Sequence, residues 1–137
     1  VLPLVILTAL SSTLKNKLAG SSFAKALVGK KKMLALVNSE IFGQTLKIIL
    51  TLEGIDFNYL VRNTCVVFGA EKEIKEADVL ISVCGCPHMI KGEMIKEGVI
   101  LIDAGVTRYY DGKVMGDIDS KSVDEKAAFL TPIPDQE

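Results

Sequence analysis

Residues 77–87 read ADVLISVCGCP, and the apolar run at the centre of this stretch decides the fold. Residues 78–83 are almost wholly apolar, so an extended chain here presents apolar side chains on both of its faces. A strand that is buried on both faces is typical of a parallel sheet with helices packed on each side. The stretch therefore predicts an inner strand of an α/β domain.

Three further apolar runs, at residues 33–37, 57–61 and 99–104, have the same character and predict three more strands. Helical patterns at 43–52 and 71–77 separate these strands along the chain. Right-handed crossovers between such strands give a doubly wound, Rossmann-like, mostly parallel sheet.

The pattern changes after the fourth strand. Asp111-Gly112 lies between two extended pieces within 109–114, which predicts a small β-hairpin with a type I′ turn near the C-terminus. A short helix is predicted at 94–95, a longer one at 121–128, and a last short strand at 129–131.

Length and composition predict one domain with one core. The chain has 137 residues, of which 49% are hydrophobic, and its formal net charge is -1. A charge so close to zero excludes a basic surface for nucleic acid or for an anionic membrane. The apolar residues 1–10 are too short to cross a bilayer, which takes roughly 20 apolar residues. We interpret residues 1–28 as a linker with a leading helix and residues 29–137 as the Rossmann-like domain.

The three cysteines are Cys65, Cys84 and Cys86. An odd number at these spacings does not predict a disulfide framework, so we expect reduced thiols and a cytoplasmic protein. The spacing of Cys84 and Cys86 favours packing at a strand end over a metal site, and no metal is expected.

Two turns carry the patterns of a nucleotide site. Residues 37–45, VNSEIFGQT, join the first strand to a helix, a geometry that presents backbone N–H groups to a phosphate. The turn is not G-x-G-x-x-G, and an ordinary strand-to-helix turn stays an alternative. Arg62-Asn63 ends the second strand, where an arginine accommodates a ribose 2′-phosphate in dinucleotide folds. A solvated surface arginine is the alternative.

Further candidates lie at the other strand ends. Gly85 and Gly105 each follow a parallel strand, where a glycine lets a ligand approach the backbone. His88 is the only histidine, and we interpret it as a loop residue without a catalytic role. Asp103 ends a strand, whereas Asp117 and Asp119 are interpreted as turn residues.

Four stretches resemble one enzyme family in order and spacing. Residues 77–87 resemble its A-D-[ILV]-[LV]-[IV]-x-A-x-G-x-P, 99–108 its V-V-I-D-V-G-I-N-R, 111–119 its D-G-K-L-V-G-D-V-D, and 131–134 its T-P-V-P. The family is methylenetetrahydrofolate dehydrogenase/methenyltetrahydrofolate cyclohydrolase, and the resemblance is to its C-terminal NAD(P)-binding domain.

The resemblance implies an NADP site, with NAD as the alternative cofactor. The family's phosphate turn, G-R-S-x-x-V-G-x-P, falls on residues 37–45, where Val37 replaces the first glycine and Asn38 the arginine. If the turn needs a positive φ at that glycine, Val37 forces a rearrangement. The cofactor-binding residues expected are Val37, Asn38, Ser39, Gly43, Arg62, Asn63, Cys84, Gly85, Gly105, Val106 and Thr131.

The resemblance also implies a function. Family members are oxidoreductases and hydrolases of one-carbon metabolism that oxidise 5,10-methylenetetrahydrofolate and hydrolyse 5,10-methenyltetrahydrofolate. The resemblance also implies assembly as a homodimer. The family's folate domain supplies a Y-x-x-x-K motif that these residues lack, so we expect no catalytic residue and no activity from this chain alone. The altered phosphate turn favours an alternative, a non-catalytic Rossmann-like interaction or oligomerisation module.

Overall fold

The computed structural model describes residues 32–52, 56–62, 64–105, 107–108 and 110–130. Several sequence-based predictions concern residues outside these ranges and stay predictions. They are the linker and leading helix at 1–28 and the site residues Asn63, Val106 and Thr131.

The described residues form a sheet of five strands, which are β1 (Met33–Val37), β2 (Phe57–Val61), β3 (Val79–Val83), β4 (Ile100–Asp103) and β7 (Phe129–Leu130). Their order across the sheet is β2-β1-β3-β4-β7, and every neighbouring pair is parallel. The four long runs predicted as strands all lie in it, and the predicted parallel arrangement is confirmed.

The predicted hairpin is present. β5 (Thr107–Arg108) and β6 (Val114–Met115) pair antiparallel, with Arg108 opposite Val114. Five residues separate β5 from β6 along the chain, and the predicted type I′ turn is not formed, because it needs two residues of positive φ and only Gly112 of the Asp-Gly pair has one. The Asp111 carboxylate accepts a hydrogen bond from the Lys113 backbone N–H.

The helices are α1 (Glu40–Leu52), α2 (Glu71–Glu76), a 3-10 turn (Gly92–Met94) and α3 (Ser120–Val123). The sequence predicts the start of α1 at Gly43, but the helix begins three residues earlier, at Glu40. It does so because the Ser39 hydroxyl oxygen accepts a hydrogen bond of 3.0 Å from the Phe42 N–H and caps the helix.

α3 is shorter than the predicted helix at 121–128, and that prediction was wrong at its end. The Ala128 N–H donates to the Val99 carbonyl over 2.9 Å and not to a carbonyl of the preceding turn, so the chain leaves the helix there and enters β7. The Lys126 ammonium donates to the carbonyl oxygens of Gly92 and Ile95.

Both faces of the sheet are buried, as the doubly apolar strands predict. On one face the core is built around Leu36, Ile74 of α2 and Leu80. On the other it is built around Leu46 of α1 and Ile81. Neighbouring residues of one strand therefore enter opposite cores.

Gly43 lies where α1 crosses β2. A Cβ added to it would stand 2.3 Å from a ring carbon of Tyr59, so only a glycine lets the helix approach the strand this closely. The Tyr59 hydroxyl donates to the Glu40 carboxylate over 2.6 Å and fixes the ring in this position. Gly43 thus fills the packing role of the last glycine in a dinucleotide-binding turn.

Gly43→Ala is expected to lower the free energy of unfolding by about 1–3 kcal/mol, because the added methyl group displaces the Tyr59 ring. In a Tyr59→Ala background the same substitution should be neutral or stabilising, since alanine favours a helix over glycine by about 1 kcal/mol. Urea unfolding of the four proteins in this double-mutant cycle checks the result. Equal effects in both backgrounds would contradict the packing argument.

Candidate functional site

The carboxyl ends of the parallel strands meet at one edge of the sheet. Val37 pairs with Val61 on one side and with Val83 on the other, so the residues that follow these strands are brought together. We call this the carboxyl edge, and it begins with Asn38, Arg62, Cys84 and Ala104.

The connections around β1 leave on opposite faces. α1 follows β1 and packs in the core that contains Leu46, whereas α2 follows β2 and packs in the core that contains Ile74. In open α/β sheets, such a switch point opens the crevice where ligands bind. The predicted site residues of the first three turns that the structure describes therefore lie together at this switch point, at one edge of the sheet.

Val37 does not enter the turn. It is fully buried as the last residue of β1, and its carbonyl accepts a bond of 2.7 Å from the Arg62 N–H. Val37 therefore stays extended and does not adopt a positive φ. Asn38 and Ser39 follow as exposed residues at the start of α1.

Arg62 is not a freely solvated surface arginine. It is half-buried, and one terminal nitrogen donates to the Val61 carbonyl over 2.9 Å. Its Nε is buried and has no hydrogen-bond partner. The bond to the Val61 carbonyl holds the half-buried guanidinium at the carboxyl edge, one residue beyond β2.

Asp117 organises the turn after β3, and the sequence interpretation missed it. Its carboxylate is fully buried and accepts three hydrogen bonds of 2.7 Å, from the Ser82 hydroxyl and from the N–H groups of Cys84 and Cys86. We call residues 84–87 the β3 turn. The interpretation of Asp117 as a simple turn residue was wrong, because the hairpin returns its side chain to the strand ends.

Gly105 makes room for this carboxylate. A Cβ on Gly105 would stand 2.0 Å from an Asp117 oxygen, so Asp117 occupies the space that the sequence interpretation reserved for a ligand. Gly85 differs, because it is exposed, its φ is 70°, and a Cβ there would meet nothing within 4 Å. Of these two glycines, Gly85 is the one with open space beside it.

Asp103 supports the same hairpin. Its carboxylate accepts bonds from the N–H groups of Gly105, Asp117 and Ile118. Burial raises the pKa of Asp103 above its ordinary value of 3.8, the three backbone donors oppose that rise, and the neighbouring Asp117 adds to it. The paired carboxylates thus join β3, β4 and the hairpin at one point.

A disulfide links the loop after β2 to the β3 turn. Cys65 and Cys86 are bonded, with their Cα atoms 5.3 Å apart. The expectation of reduced thiols at all three cysteines is therefore corrected, because the fold brings together two residues that lie 21 positions apart. Cys84 is free and buried, and burial raises the pKa of its thiol to about 12.

Other candidate features lie elsewhere. His88 is exposed in the loop after Pro87, and its φ is 55°. A groove lined by Lys32, Phe57 and Glu76 lies at the amino ends of the strands, away from the crevice. Within the described ranges, no cluster of three or more potential metal ligands occurs, and no helix is long and apolar enough to span a membrane.

A family profile described as the NAD(P)-binding domain of tetrahydrofolate dehydrogenase/cyclohydrolase matches residues 21–136. The bifunctional protein FolD of Aquifex aeolicus is 52% identical over 64 residues, which cover 47% of this chain and 22% of that protein.

Solved structures show the same similarity. The FolD methylenetetrahydrofolate dehydrogenase/cyclohydrolase of Campylobacter jejuni superposes with a TM-score of 0.65 at 29% identity, over 82% of this chain and 40% of that one. The enzyme of Trypanosoma brucei, solved with NADP cofactor and inhibitor, gives a TM-score of 0.64 at 24% identity, over 83% of this chain and 42% of that one. The chain thus spans less than half the length of these relatives.

Asp117→Ala is expected to lower the free energy of unfolding by at least about 3 kcal/mol, because three buried donors lose their acceptor. Asp119→Ala is the matched control, since the Asp119 side chain makes no capping bond at the start of α3. Its effect should stay within about 0.5 kcal/mol. Chemical unfolding measures both, and similar losses in the two variants would contradict the role of Asp117.

The raised pKa of Asp103 gives a pH dependence of stability with a definite sign. The folded chain holds this proton at a pH where the unfolded chain has released it. The favourable contribution is therefore complete below the ordinary value of 3.8 and is lost as the pH rises through the folded pKa. Asp103→Asn removes this titration. The unfolding free energy of the wild type should therefore fall relative to that of the variant as the pH rises from 3.8 through the folded pKa. An opposite slope would contradict the raised pKa.

Proposed function

Because the chain belongs to the family of tetrahydrofolate dehydrogenase/cyclohydrolase NAD(P)-binding domains, we propose that its carboxyl edge binds NADP in preference to NAD. The observation that carries this preference is the position of Arg62, a half-buried cation held at the end of β2 by its bond to the Val61 carbonyl. In dinucleotide folds this position lies beside the adenosine ribose, and an arginine there accommodates a 2′-phosphate.

The residues at the edge fit the charged parts of such a cofactor. Asn38 and Ser39 lead into α1, a helix of 13 residues whose first N–H groups suit a phosphate. The Ser39 oxygen accepts the capping bond, while its hydroxyl proton is left to donate. Gly85 leaves open space at the next turn. We therefore assign the 2′-phosphate to Arg62 and Ser39 and the remaining contacts to the other edge residues.

Two features weaken this site relative to the family pattern. Asn38 stands where the family has an arginine, so one cationic phosphate contact is missing. Val37 stands where the family has a glycine, and its side chain is buried at the end of β1. The affinity should accordingly be modest. The same two features favour the second candidate function, a Rossmann-like interaction or oligomerisation module without a working cofactor site.

We propose that the protein takes part in the oxidation of 5,10-methylenetetrahydrofolate and the hydrolysis of 5,10-methenyltetrahydrofolate. The bound cofactor supplies the hydride acceptor for the first reaction. The residues of this chain bind and orient it, and we place the folate contacts and the acid–base groups in a folate-binding domain of the family type. Assembly as a homodimer and a cytoplasmic location form part of the same proposal.

Arg62→Ala should weaken NADP binding by roughly ten- to a hundredfold, because a charge-assisted hydrogen bond contributes about 1.5–3 kcal/mol. NAD binding should change little, since NAD lacks the 2′-phosphate. Calorimetric titrations with both cofactors, in a reductant that keeps all cysteines as thiols, measure the effect.

Lys47→Ala is the matched control, because Lys47 is an exposed cation two turns into α1 and away from the edge. It should bind both cofactors like the wild type. A preference for NADP that survives Arg62→Ala would show that another residue reads the phosphate. Absence of binding to either cofactor in the wild type would favour the interaction module.

A further inference from the structure

The Cys65–Cys86 disulfide closes a gap that the sheet itself leaves open. Neighbouring strands lie about 4.8 Å apart, so β2 and β3, which flank β1, are separated by about 10 Å. The bonded Cα atoms are only 5.3 Å apart. The loop after β2 and the β3 turn must therefore converge across the carboxyl end of β1.

These two segments flank the adenosine end of the proposed cofactor site. Arg62 precedes Cys65 by three residues, and Gly85 immediately precedes Cys86. A flat aromatic ring that contacts a wall on each face needs walls about 7 Å apart, since non-bonded carbon atoms approach to about 3.5 Å. The bonded loops leave less than that, so a base does not fit between them at this point.

We propose that the Cys65–Cys86 disulfide is a thiol-responsive lock, which excludes the adenosine end of the cofactor when oxidised and admits it when reduced. This inference rests on the proposed NADP site, because it concerns access to that site.

The two sides of the lock differ in how firmly they are held. Cys86 is buried, and its N–H donates to the Asp117 carboxylate. Cys65 is exposed and adopts a φ of 59°, which residues other than glycine rarely take. Thr64 and Val66, its neighbours, are exposed as well, and the loop reaches the core at Val67. Reduction should therefore release residues 64–66 and leave the β3 turn in place.

The chemistry is thiol–disulfide exchange with a low-molecular-weight thiol. The thiolate of the external thiol attacks the sulfur of the exposed Cys65, a mixed disulfide forms, and Cys86 leaves as a thiolate that takes up a proton. A second external thiolate attacks the external sulfur of the mixed disulfide and releases Cys65. Two electrons pass to the protein sulfurs, and the two external thiols leave as one disulfide.

The first measurement counts thiols. After treatment with oxidised glutathione, the denatured chain should take up one alkylating group, at Cys84, and all three cysteines should react once dithiothreitol is added. Mass spectrometry of the alkylated peptides distinguishes the two states. Free Cys65 and Cys86 thiols in the oxidised sample would overturn the proposal.

The second measurement is calorimetric titration with NADP in both redox states. The reduced wild type should bind more tightly than the oxidised form by about tenfold or more. Cys65→Ser should bind like the reduced wild type in both conditions, and its melting curve checks that it is folded. Thr64→Ser is the matched control, because Thr64 is the exposed neighbour of Cys65 and its replacement leaves the disulfide intact.

The possible outcomes distinguish a failure of the disulfide lock from a failure of the proposed NADP site. Equal NADP affinity in the two redox states, or tighter binding to the oxidised chain, would overturn the lock and leave the proposed function standing. Absence of binding in the reduced wild type and in Cys65→Ser would overturn both. A redox response in Cys65→Ser as large as that of Thr64→Ser would show that another group is responsible.

Discussion

The buried carboxylate of Asp117 is the interaction on which the rest of the carboxyl edge depends. It accepts hydrogen bonds from a side chain of β3 and from two backbone N–H groups of the β3 turn, although it belongs to the segment after the hairpin. A buried carboxyl group is tolerated only when its oxygens are hydrogen-bonded, and three donors at 2.7 Å meet that condition. The hairpin is thereby tied to the inner strands of the sheet.

This attachment explains several features that look unrelated in the chain. Position 105 requires a glycine because the Asp117 carboxylate fills the space that a side chain would occupy. Asp103, at the end of the neighbouring strand β4, accepts a hydrogen bond from the Asp117 N–H. Cys86 is fixed by the same carboxylate, so its sulfur has a defined position from which to meet Cys65. The β3 turn is therefore held by buried hydrogen bonds, while residues 64–66 of the loop after β2 are exposed and attached to it through the disulfide.

The departures from the family pattern fall on the other side of the crevice. Val37 takes the place of a glycine without disturbing β1, because the strand continues through it and the turn begins one residue later. The glycine that is retained, Gly43, serves the packing of α1 on Tyr59. The scaffold of the nucleotide-binding fold is thus preserved where packing requires it, while the cationic side chain that the family pattern has at position 38 is absent.

The sequence by itself determined the sheet. A run that is apolar on both faces of a strand is buried on both faces, so residues 33–37 and 79–83 had to be inner strands of a parallel sheet. Residues 57–61 include Asn58 and form the strand at the end of the described order. The carboxyl ends of these three strands then had to share an edge, which brought Asn38, Arg62 and Cys84 together.

Only the tertiary structure decided which side chains meet across that edge. Asp117 bonds to Ser82 over a separation of 35 residues, and Cys65 to Cys86 over 21. Periodicity reports which face of an element is buried, but it carries no information on where a loop or hairpin returns. Asp117 in a turn and an odd number of cysteines therefore looked ordinary until the chain was folded.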